Sequence, residues 1–408
     1  MKILWVNTNF MHPTTKGGQI RTLETLRQLH RRHEIHYVAI EDPLHPEGPA
    51  RAAEYCTRAY PFQHRVRDKR SPGFPFELAK GLFDPMPLAI RRYHAPAMGA
   101  FLERLIETER FDRAVVDFLN PTSYFPGLER SVLFQHNVET MIWRRRAQHA
   151  PDPLRQWYFR LQAGRMFRFE RQACLTAARV VAVSEQDAHT MRELFGVTRV
   201  TAIPTGVDIE GLTPPGPSPE KTADLMFVGS MDWLPNVDGI QWFVREVLPL
   251  IRRRRPDCSL AIVGRTPPPS ITALGREDAR VRVTGTVPDI RPLLWSAAVS
   301  IVPLRIGGGT RLKIYEAMAG RVPVVSTAVG AEGLEVHHPD DIRLADSPEA
   351  FAAACSELLA DADLRRRQAD AAWDMVAARF SWEHVAGCFE RVLDETPQFS
   401  VRTQAARA

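Results

Sequence analysis

Residues 300–335 read SIVPLRIGGGTRLKIYEAMAGRVPVVSTAVGAEGLE, and this stretch decides the fold class of the chain. The apolar run at residues 299–304 predicts a buried strand, three glycines interrupt it, and a helical pattern follows at residues 310–319. A second apolar run at residues 323–327 predicts another buried strand, and a loop of small residues follows it at residues 328–333. Strands that alternate with helices in this way are typical of a parallel, doubly wound α/β sheet.

The glycine turn in this stretch predicts an anion site. Such a turn exposes backbone N–H groups at the positive end of a helix dipole, and glycines let an anion come close to the main chain. A hydroxyl and two cations accompany the glycines, so we expect a phosphate or diphosphate there. The residues concerned are Gly307, Gly308, Gly309, Thr310, Arg311 and Lys313. The alternative is a tight connection without a ligand, and neither a P-loop nor a GxGxxG dinucleotide motif is present.

Length and composition indicate a soluble protein of two domains. The chain has 408 residues, of which 44% are hydrophobic and 25% are charged. Its five cysteines lie far apart without CxxC or zinc-ligand spacing, which predicts neither a disulfide framework nor a metal site. The opening residues, MKILWVNTNF, do not form a signal sequence, and nowhere do 18 apolar residues run together. We therefore expect a cytoplasmic protein.

The formal net charge of +5 reflects an excess of arginine. Nucleic acid is not the expected partner, because no RNP motif, zinc finger or basic zipper accompanies the charge. An anionic substrate or the anionic headgroups of a membrane surface suit the pattern at least as well, and solvated helix faces are the alternative. The basic clusters fall at residues 27–32, 64–70, 91–92, 144–146 and 252–255.

The pattern divides the chain at a proline-rich linker. We predict an acceptor-binding domain at residues 1–208, a linker at 209–221, a donor-binding domain at 222–380, and at 381–408 a helix that crosses back to the first domain, followed by a tail. Both domains repeat the succession of strand, glycine loop and helix. Residues 42–110 are less regular, and we expect helices and loops there that form part of an acceptor pocket, lie against a membrane or cover the sheet.

Seven segments in this order resemble glycosyltransferase family 4, the retaining, nucleotide-sugar-dependent enzymes of the GT-B fold. They are KGGQIR, QHNVET, VVAVSEQD and AIPTGVD in the first half, and residues 227–240, 281–304 and 307–334 in the second half. The resemblance implies an α/β fold with two Rossmann-like domains that face each other across a cleft. It also implies transfer of a sugar from a UDP- or GDP-sugar to a glycan, lipid-linked or small-molecule hydroxyl. Sugar transferases of bacterial exopolysaccharide synthesis are the most similar group in appearance.

The resemblance assigns roles to single residues in the second domain. Glu316 matches the second glutamate of the family's E-x7-E motif, which binds the nucleotide ribose. The first glutamate falls at Gly308, so this chain departs from the pattern, and the amides of the glycine turn would replace that carboxylate. The loop with Gly229 and Ser230 lacks the cations that clamp the diphosphate in many relatives. The expected substitutes are Arg311, Lys313 and Arg265.

Further matches complete the expected donor site. Gly17 and Gly18 match the glycine loop that approaches the donor phosphates, and His136 matches a histidine that contacts the sugar. Val287 and Asp289 occupy the place where the main chain reads the base.

The expected chemistry needs neither a metal nor a cofactor, because the nucleotide sugar is a co-substrate. Helix N-termini and Arg311 would stabilise the departing diphosphate, and with retention a phosphate oxygen of the leaving group takes up the proton of the acceptor. Two alternatives stay open at this point. One is a nucleotide-sugar-binding subunit without turnover, which the residue at position 308 favours, and the other is a sugar-nucleotide epimerase of the same architecture.

Overall fold

The structure, a computed structural model, describes residues 1–14, 17–64, 66, 81–82, 84–148, 150–216, 221–306 and 312–399. The chain divides into two compact units. One comprises Met1–Thr205 together with Val385–Ala408, and the other comprises Gly206–His384. The glycine turn with Arg311 lies outside the described residues.

The first unit is built on a parallel sheet with the strand order β3-β2-β1-β4-β5-β6-β7. The strands are β1 (Lys2–Val6), β2 (Glu34–Ile40), β3 (Arg58–Phe62), β4 (Arg113–Asp117), β5 (Val132–Phe134), β6 (Arg179–Ala182) and β7 (Val200–Ala202). The residues of the five strands β1, β2, β4, β5 and β6 are almost all apolar and buried, as expected for a sheet that is covered on both faces. The strand order reverses between β1 and β4, and ligands of doubly wound sheets bind at such a point.

Helices cover this sheet. They are α1 (Gly17–His30), α2 (Glu47–Ala50), α3 (Leu88–Arg91), α4 (Pro96–Thr108), α5 (Glu139–Gln148), α6 (Pro153–Thr176) and α7 (Glu185–Phe195), with 3₁₀ turns at Ala52–Glu54, Asn120–Ser123 and Leu128–Arg130. The arginine-rich helical region predicted at residues 141–178 is two helices, α5 and α6, that pack against each other. Asp152 starts the second of them, because its side chain accepts a hydrogen bond from the N–H of Arg155.

The expectation for residues 42–110 was wrong in one respect, because they contain strand β3. The strand pairs in parallel with β2 at the edge of the sheet. Pro61 lies within it, which an edge strand tolerates since one side of its backbone has no neighbour. Its side chains are only partly buried, so the run lacks the apolar signature of the inner strands.

The second unit carries a parallel sheet with the strand order β10-β9-β8-β11-β12-β13. The strands are β8 (Ala223–Val228), β9 (Leu260–Val263), β10 (Val281–Gly285), β11 (Ala297–Val302), β12 (Val324–Ser326) and β13 (Arg343–Leu344). The strands predicted from the stretch at residues 300–335 are β11 and β12, in a register that pairs Ser300 with Val324. The order reverses between β8 and β11, so this sheet has a switch point of its own. The prediction of two Rossmann-like, doubly wound domains is confirmed.

Apolar clusters pack on both faces of the second sheet beneath its helices. These helices are α8 (Ile209–Leu212), α9 (Leu234–Trp242), α10 (Leu248–Arg252), α11 (Pro269–Glu277), α12 (Arg291–Trp295), α13 (Leu312–Ala319), α14 (Pro348–Ala360) and α15 (Ala362–Phe380). A π-helical turn at Phe243–Val247 joins α9 to α10. The last helix, α16 (Trp382–Glu395), begins in the second unit and continues in the first.

Candidate functional site

A buried polar cluster lies where β1, β4 and β5 of the first sheet end. Asp117 closes β4 and is fully buried, and its Oδ1 atom accepts a hydrogen bond of 2.7 Å from Nε2 of His136. Its Oδ2 atom accepts three hydrogen bonds of 2.7–3.0 Å from Trp5, Asn7 and Thr22. These four donors compensate the carboxylate for the loss of water. We call these five residues the Asp117 cluster.

The imidazole of His136 has one nitrogen engaged and one unpaired. A carboxylate only accepts hydrogen bonds, so Nε2 carries the proton and Nδ1 presents a lone pair. The Nδ1 atom is buried and has no hydrogen-bond partner among the residues that the structure describes. Burial lowers the pKa of His136, and the neighbouring carboxylate of Asp117 opposes that shift only in part. The ring is therefore a neutral hydrogen-bond acceptor at neutral pH.

Phe118 and Gly18 pack closely around the ring of His136. Phe118 stacks on His136 with ring centroids 4.0 Å apart and has φ +67°, a conformation that is strained for a bulky residue. On the other side, a Cβ atom at Gly18 would lie 2.8 Å from Cζ of Phe118 and 3.5 Å from Nδ1 of His136. Only glycine lets α1 begin so close to the ring. The structure thus brings Gly18 and His136 together, whereas the space around Gly17 is open.

A buried cation lies next to the Asp117 cluster. Arg21 in α1 is 2% exposed, packs over the ring of Phe134 at 4.7 Å, and donates from Nη2 to the carbonyl of Ile203. Its Nε and Nη1 atoms have no partner within the described ranges. Burial lowers the pKa of Arg21 to about 9, and the charges of Asp117 and Asp187 oppose that shift. The guanidinium stays charged at neutral pH and adds positive potential beneath the first turn of α1.

In the second unit, two loops approach each other closely where β8 and β9 end. The N–H of Gly229 donates to the carbonyl of Val263 at 2.9 Å, and that of Met231 donates to the carbonyl of Arg265 at 3.0 Å. A Cβ atom at Gly264 would lie 1.8 Å from the carbonyl oxygen of Gly229. No larger residue fits at position 264, so this contact fixes the loop that begins at Gly229.

A cation from α13 lies against this loop. The Nζ atom of Lys313 donates to Oδ1 of Asn236 at 2.8 Å and lies 4.6 Å from the ring centroid of Phe227. A Cβ atom at Gly229 would come within 2.8 Å of that Nζ atom. The amide of Asn236 is neutral and leaves the lysine's charge in place, so positive charge stands at the carboxyl end of β8, beside the switch point.

Two more of the expected donor residues meet between these two loops. Nε of Arg265 donates to Oγ of Ser230 at 2.8 Å, and the guanidinium forms an ion pair of 3.4 Å with Asp232. The side chain of Arg265 is 62% exposed. Asp232 offsets part of the charge of Arg265.

Glu316 lies one turn after Lys313 in α13 and is half-buried. Burial raises the pKa of Glu316, and the charge of Lys313 lowers it in part. Its carboxylate makes no hydrogen bond to the part of the chain that the structure describes, which leaves both oxygens available as acceptors. A carboxylate of this kind suits a pair of sugar hydroxyls.

The remaining expected donor residues are not joined to this group. Asp289, in the loop after β10, is exposed and forms an ion pair of 2.8 Å with Arg291, which lowers the pKa of Asp289. Val287 packs at the margin of an apolar cluster. Five further predicted residues lie outside the described ranges: Gly307, Gly308, Gly309, Thr310 and Arg311.

Two family models match the chain, one in each unit. Residues 15–210 match the model described as Glycosyltransferase Family 4, and residues 222–361 match the model described as Glycosyl transferases group 1. The chain belongs to glycosyltransferase family 4. Both segments fall on the sheets whose switch points carry the residues described above.

Curated relatives of this glycosyltransferase are distant. A D-inositol 3-phosphate glycosyltransferase of Xylanimonas cellulosilytica is 27% identical over 299 residues, which are 66% of this chain and 67% of the relative. A Klebsiella pneumoniae protein described as an uncharacterized 44.6 kDa protein in the cps region is 24% identical over 136 residues. That match covers 32% of this chain and only 35% of the Klebsiella protein.

Solved structures of similar fold span nearly the whole chain. Sucrose-phosphate synthase from Thermosynechococcus elongatus has a TM-score of 0.63 and 19% identity over 97% of this chain and 98% of its own. Anabaena HepE, solved in complex with UDP and glucose, has a TM-score of 0.60 and 14% identity over 97% of this chain and 99% of its own. At these identities the likeness concerns the fold alone.

The described residues lack two other kinds of feature, a membrane-spanning helix and a metal-binding cluster. Within the described ranges, every helix of the glycosyltransferase is too short or too polar to cross a bilayer. No group of three or more His, Cys, Asp or Glu side chains in those ranges is arranged to hold a metal ion.

The sequence did not point to two residues that organise these regions. Asp117 ends an ordinary apolar strand, and Asn236 stands in a helical turn far along the chain from Lys313. The only available signal for Asp117 was its place at the carboxyl end of a strand that belongs to a doubly wound sheet.

Proposed function

We propose that the protein transfers a sugar from a nucleotide-diphosphate sugar to a hydroxyl of a glycan, lipid-linked or small-molecule acceptor. The observation that carries the proposal is the group formed by Gly229, Lys313 and Glu316 at the switch point of the second sheet, in a chain of family 4. A close main-chain approach, a cation and an available carboxylate are the three features that a diphosphate bound to a ribose requires. The complex of Anabaena HepE with UDP and glucose supports UDP-glucose as the first donor to test.

The chemistry follows from where charge develops. When the bond between the sugar and the diphosphate breaks, negative charge grows on the leaving oxygen, so fixed positive potential at the diphosphate lowers the barrier most. In our proposal Lys313 supplies that potential together with Arg311, and no metal ion takes part. The configuration at the anomeric carbon is retained.

In the same proposal His136 acts on the sugar. Its unpaired Nδ1 accepts a hydrogen bond from a sugar hydroxyl, while Asp117 holds the other nitrogen in the protonated form. A neutral acceptor is suited to this task because a protonated imidazole would offer no lone pair.

The test is incubation of the purified protein with labelled UDP- and GDP-sugars, with and without a chelator, followed by separation of the products. We expect slow hydrolysis, or transfer to an added acceptor, that the chelator does not abolish and that conserves the anomeric configuration by NMR. Binding without turnover would replace the proposal by the subunit alternative, and an isomerised sugar nucleotide would replace it by the epimerase alternative.

A matched pair of variants locates the donor. Lys313→Gln removes the cation beside Gly229. Lys221→Gln makes the same change at the opposite end of β8, where Nζ of Lys221 donates to the carbonyl of Trp295. We expect Lys313→Gln to weaken UDP binding in calorimetry by at least about tenfold, and Lys221→Gln to leave it unchanged. Equal affinities for the two variants would remove Lys313 from the donor site.

A further inference from the structure

A buried carboxylate that the proposed mechanism does not use contacts the segment between β5 and α5. Glu170 of α6 is fully buried, and its Oε1 atom accepts a hydrogen bond of 2.9 Å from the N–H of Glu139. Its Oε2 atom accepts hydrogen bonds of 2.7 and 2.6 Å from the N–H and the hydroxyl of Thr140. Nε2 of Gln135 donates to Oε1 over a longer distance, 3.4 Å. Glu170 thus contacts both ends of residues 135–140, which we call the β5–α5 turn.

The β5–α5 turn is fixed at two points. The N–H of Gln135 donates to the carbonyl of Val181 in β6 at 2.8 Å, which attaches the first residue of the turn to the sheet. At the other end, the carboxylate of Glu170 holds the start of α5. His136 lies between these points, and only two residues separate it from Glu139. A displacement of the start of α5 would therefore move the imidazole.

Capping of α5 alone would not require a buried carboxylate. Val138 is the N-cap residue of this helix, since its carbonyl accepts the N–H groups of Met141 and Ile142. A valine side chain offers no acceptor, whereas serine at position 138 would cap the helix without burying a charge. Burial raises the pKa of Glu170 to about 7, so this arrangement carries a desolvation cost. In return, the distant carboxylate ties the start of α5 to α6, which a local cap cannot do.

From these contacts we propose that Glu170 is a positioning residue for His136, an inference that rests on the proposed function. By holding the start of α5, its carboxylate fixes the direction in which the unpaired Nδ1 atom of His136 points. Hydrogen bonds weaken as donor and acceptor lose alignment, and small misplacements of a group that contacts the substrate lower reaction rates. Glu170 thus acts on the sugar only through the imidazole.

Two variants and a matched control test the proposal. In Glu170→Gln, the NH₂ group meets the N–H of Glu139 or of Thr140 whichever way the amide turns, so the start of α5 loses an acceptor. Thr140→Val removes only the hydroxyl donor and keeps both N–H contacts. Asp112→Asn makes the carboxylate-to-amide change at the opposite end of β4 in the same unit. Thermal melting of each variant checks that the fold is kept.

The first readout is the proton NMR resonance of the Nε2–H group of His136, and it needs no sugar donor. This proton lies in the hydrogen bond to Asp117, so its chemical shift reports on the placement of the ring. We expect Glu170→Gln to shift the resonance and Asp112→Asn to leave it in place.

The same resonance should depend on pH in the parent protein. Protonation of Glu170 turns an acceptor oxygen into a donor, so the resonance should move with a midpoint near pH 7. Glu170→Gln should abolish this step. Thr140→Val should move the midpoint to higher pH, because the hydrogen bond from the Thr140 hydroxyl lowers the pKa of Glu170. A merely structural role of Glu170 predicts no such shift.

The neighbouring titratable groups leave this step distinguishable. The charge of Glu139 in α5 raises the pKa of Glu170, while burial raises the pKa of Glu139 itself and the charge of Arg146 opposes that shift. Burial also raises the pKa of Cys174, one turn further along α6. Burial lowers the pKa of His136 from 6.5, so the imidazole titrates below the expected midpoint.

The second readout is kcat/KM with UDP-glucose. Glu170→Gln should lower it by about tenfold, because the hydrogen bond from the sugar to Nδ1 is misaligned. The affinity for UDP in calorimetry should stay unchanged, since UDP lacks the sugar that His136 contacts. A double variant with His136→Gln should lose little more than His136→Gln alone, because Glu170 acts through the histidine.

Three results would overturn the inference. The first is an imidazole resonance that Glu170→Gln leaves in place or that Asp112→Asn moves as far. The second is a pair of losses that multiply in the double variant. The third is an unchanged kcat/KM for Glu170→Gln in a protein that transfers sugar. A parent protein without turnover would instead contradict the proposed function, and the NMR result would then decide whether Glu170 positions the ring.

Discussion

The substitution Asp117→Asn tests how the first unit prepares His136. Asparagine keeps the size of the side chain but has one acceptor oxygen and one NH₂ donor. Three donors face the Oδ2 atom of Asp117, so the asparagine oxygen should stay there and the NH₂ group should face Nε2 of His136. The imidazole must then move its proton to Nδ1, and the unpaired acceptor becomes a donor.

The structure sets the size of both effects. Asp117 accepts four buried hydrogen bonds, and loss of its charge weakens each of them. The same change removes the cost of burying a carboxylate, which offsets part of that loss. We therefore expect the free energy of unfolding to fall by about 1–3 kcal/mol. Loss of the acceptor at Nδ1 removes one hydrogen bond to the sugar, so kcat/KM should fall by about ten- to a hundredfold.

The assay is a double-mutant cycle of kcat/KM with UDP-glucose for Asp117→Asn, His136→Gln and the double variant. Because Asp117 acts through His136, the double variant should lose little more than His136→Gln alone. Nitrogen NMR of the imidazole should show the tautomer change independently of activity. Asp112→Asn is the matched control, since its carboxylate accepts the N–H of Lys2 at the opposite end of β4. Losses that multiply in the double variant, or an unchanged tautomer, would refute the reasoning.

The other predictions concern pH, packing and the donor clamp. Burial raises the pKa of Glu170 from 4.5 to about 7, although its carboxylate accepts hydrogen bonds from the N–H groups of Glu139 and Thr140. The folded state therefore holds this proton more tightly than the unfolded state does. The free energy of unfolding should fall by about 3 kcal/mol as the pH rises from 4.5 to 7. In urea unfolding at several pH values, Glu170→Gln should lack this dependence, and an identical pH profile would contradict the assignment. Gly264→Ala should destabilise the second unit by about 3 kcal/mol or more, measured by urea unfolding, because its methyl group would overlap the carbonyl of the neighbouring loop. Arg311→Ala should weaken UDP binding by about tenfold or more in calorimetry, and unchanged affinity would exclude this arginine from the clamp.

The sequence by itself determined the doubly wound architecture and several of the loops. Apolar runs such as residues 323–327 predict strands because an inner parallel strand is buried on both faces, and this property is local to the run. A glycine at the start of a helix, such as Gly18, and a histidine that follows a strand, such as His136, could also be named from the local pattern. The edge strand β3 escaped prediction because its burial is partial and a proline interrupts it.

Only the tertiary structure decided which side chains meet. Asp117 acquires its four donors because β1, β4 and β5 end, and α1 begins, at one edge of the sheet. Strand order and register, not a local pattern, set that meeting. Lys313 reaches Asn236 across 77 residues for the same reason. A sequence pattern records which residues prefer burial, but contacts between distant residues depend on how the whole sheet is assembled.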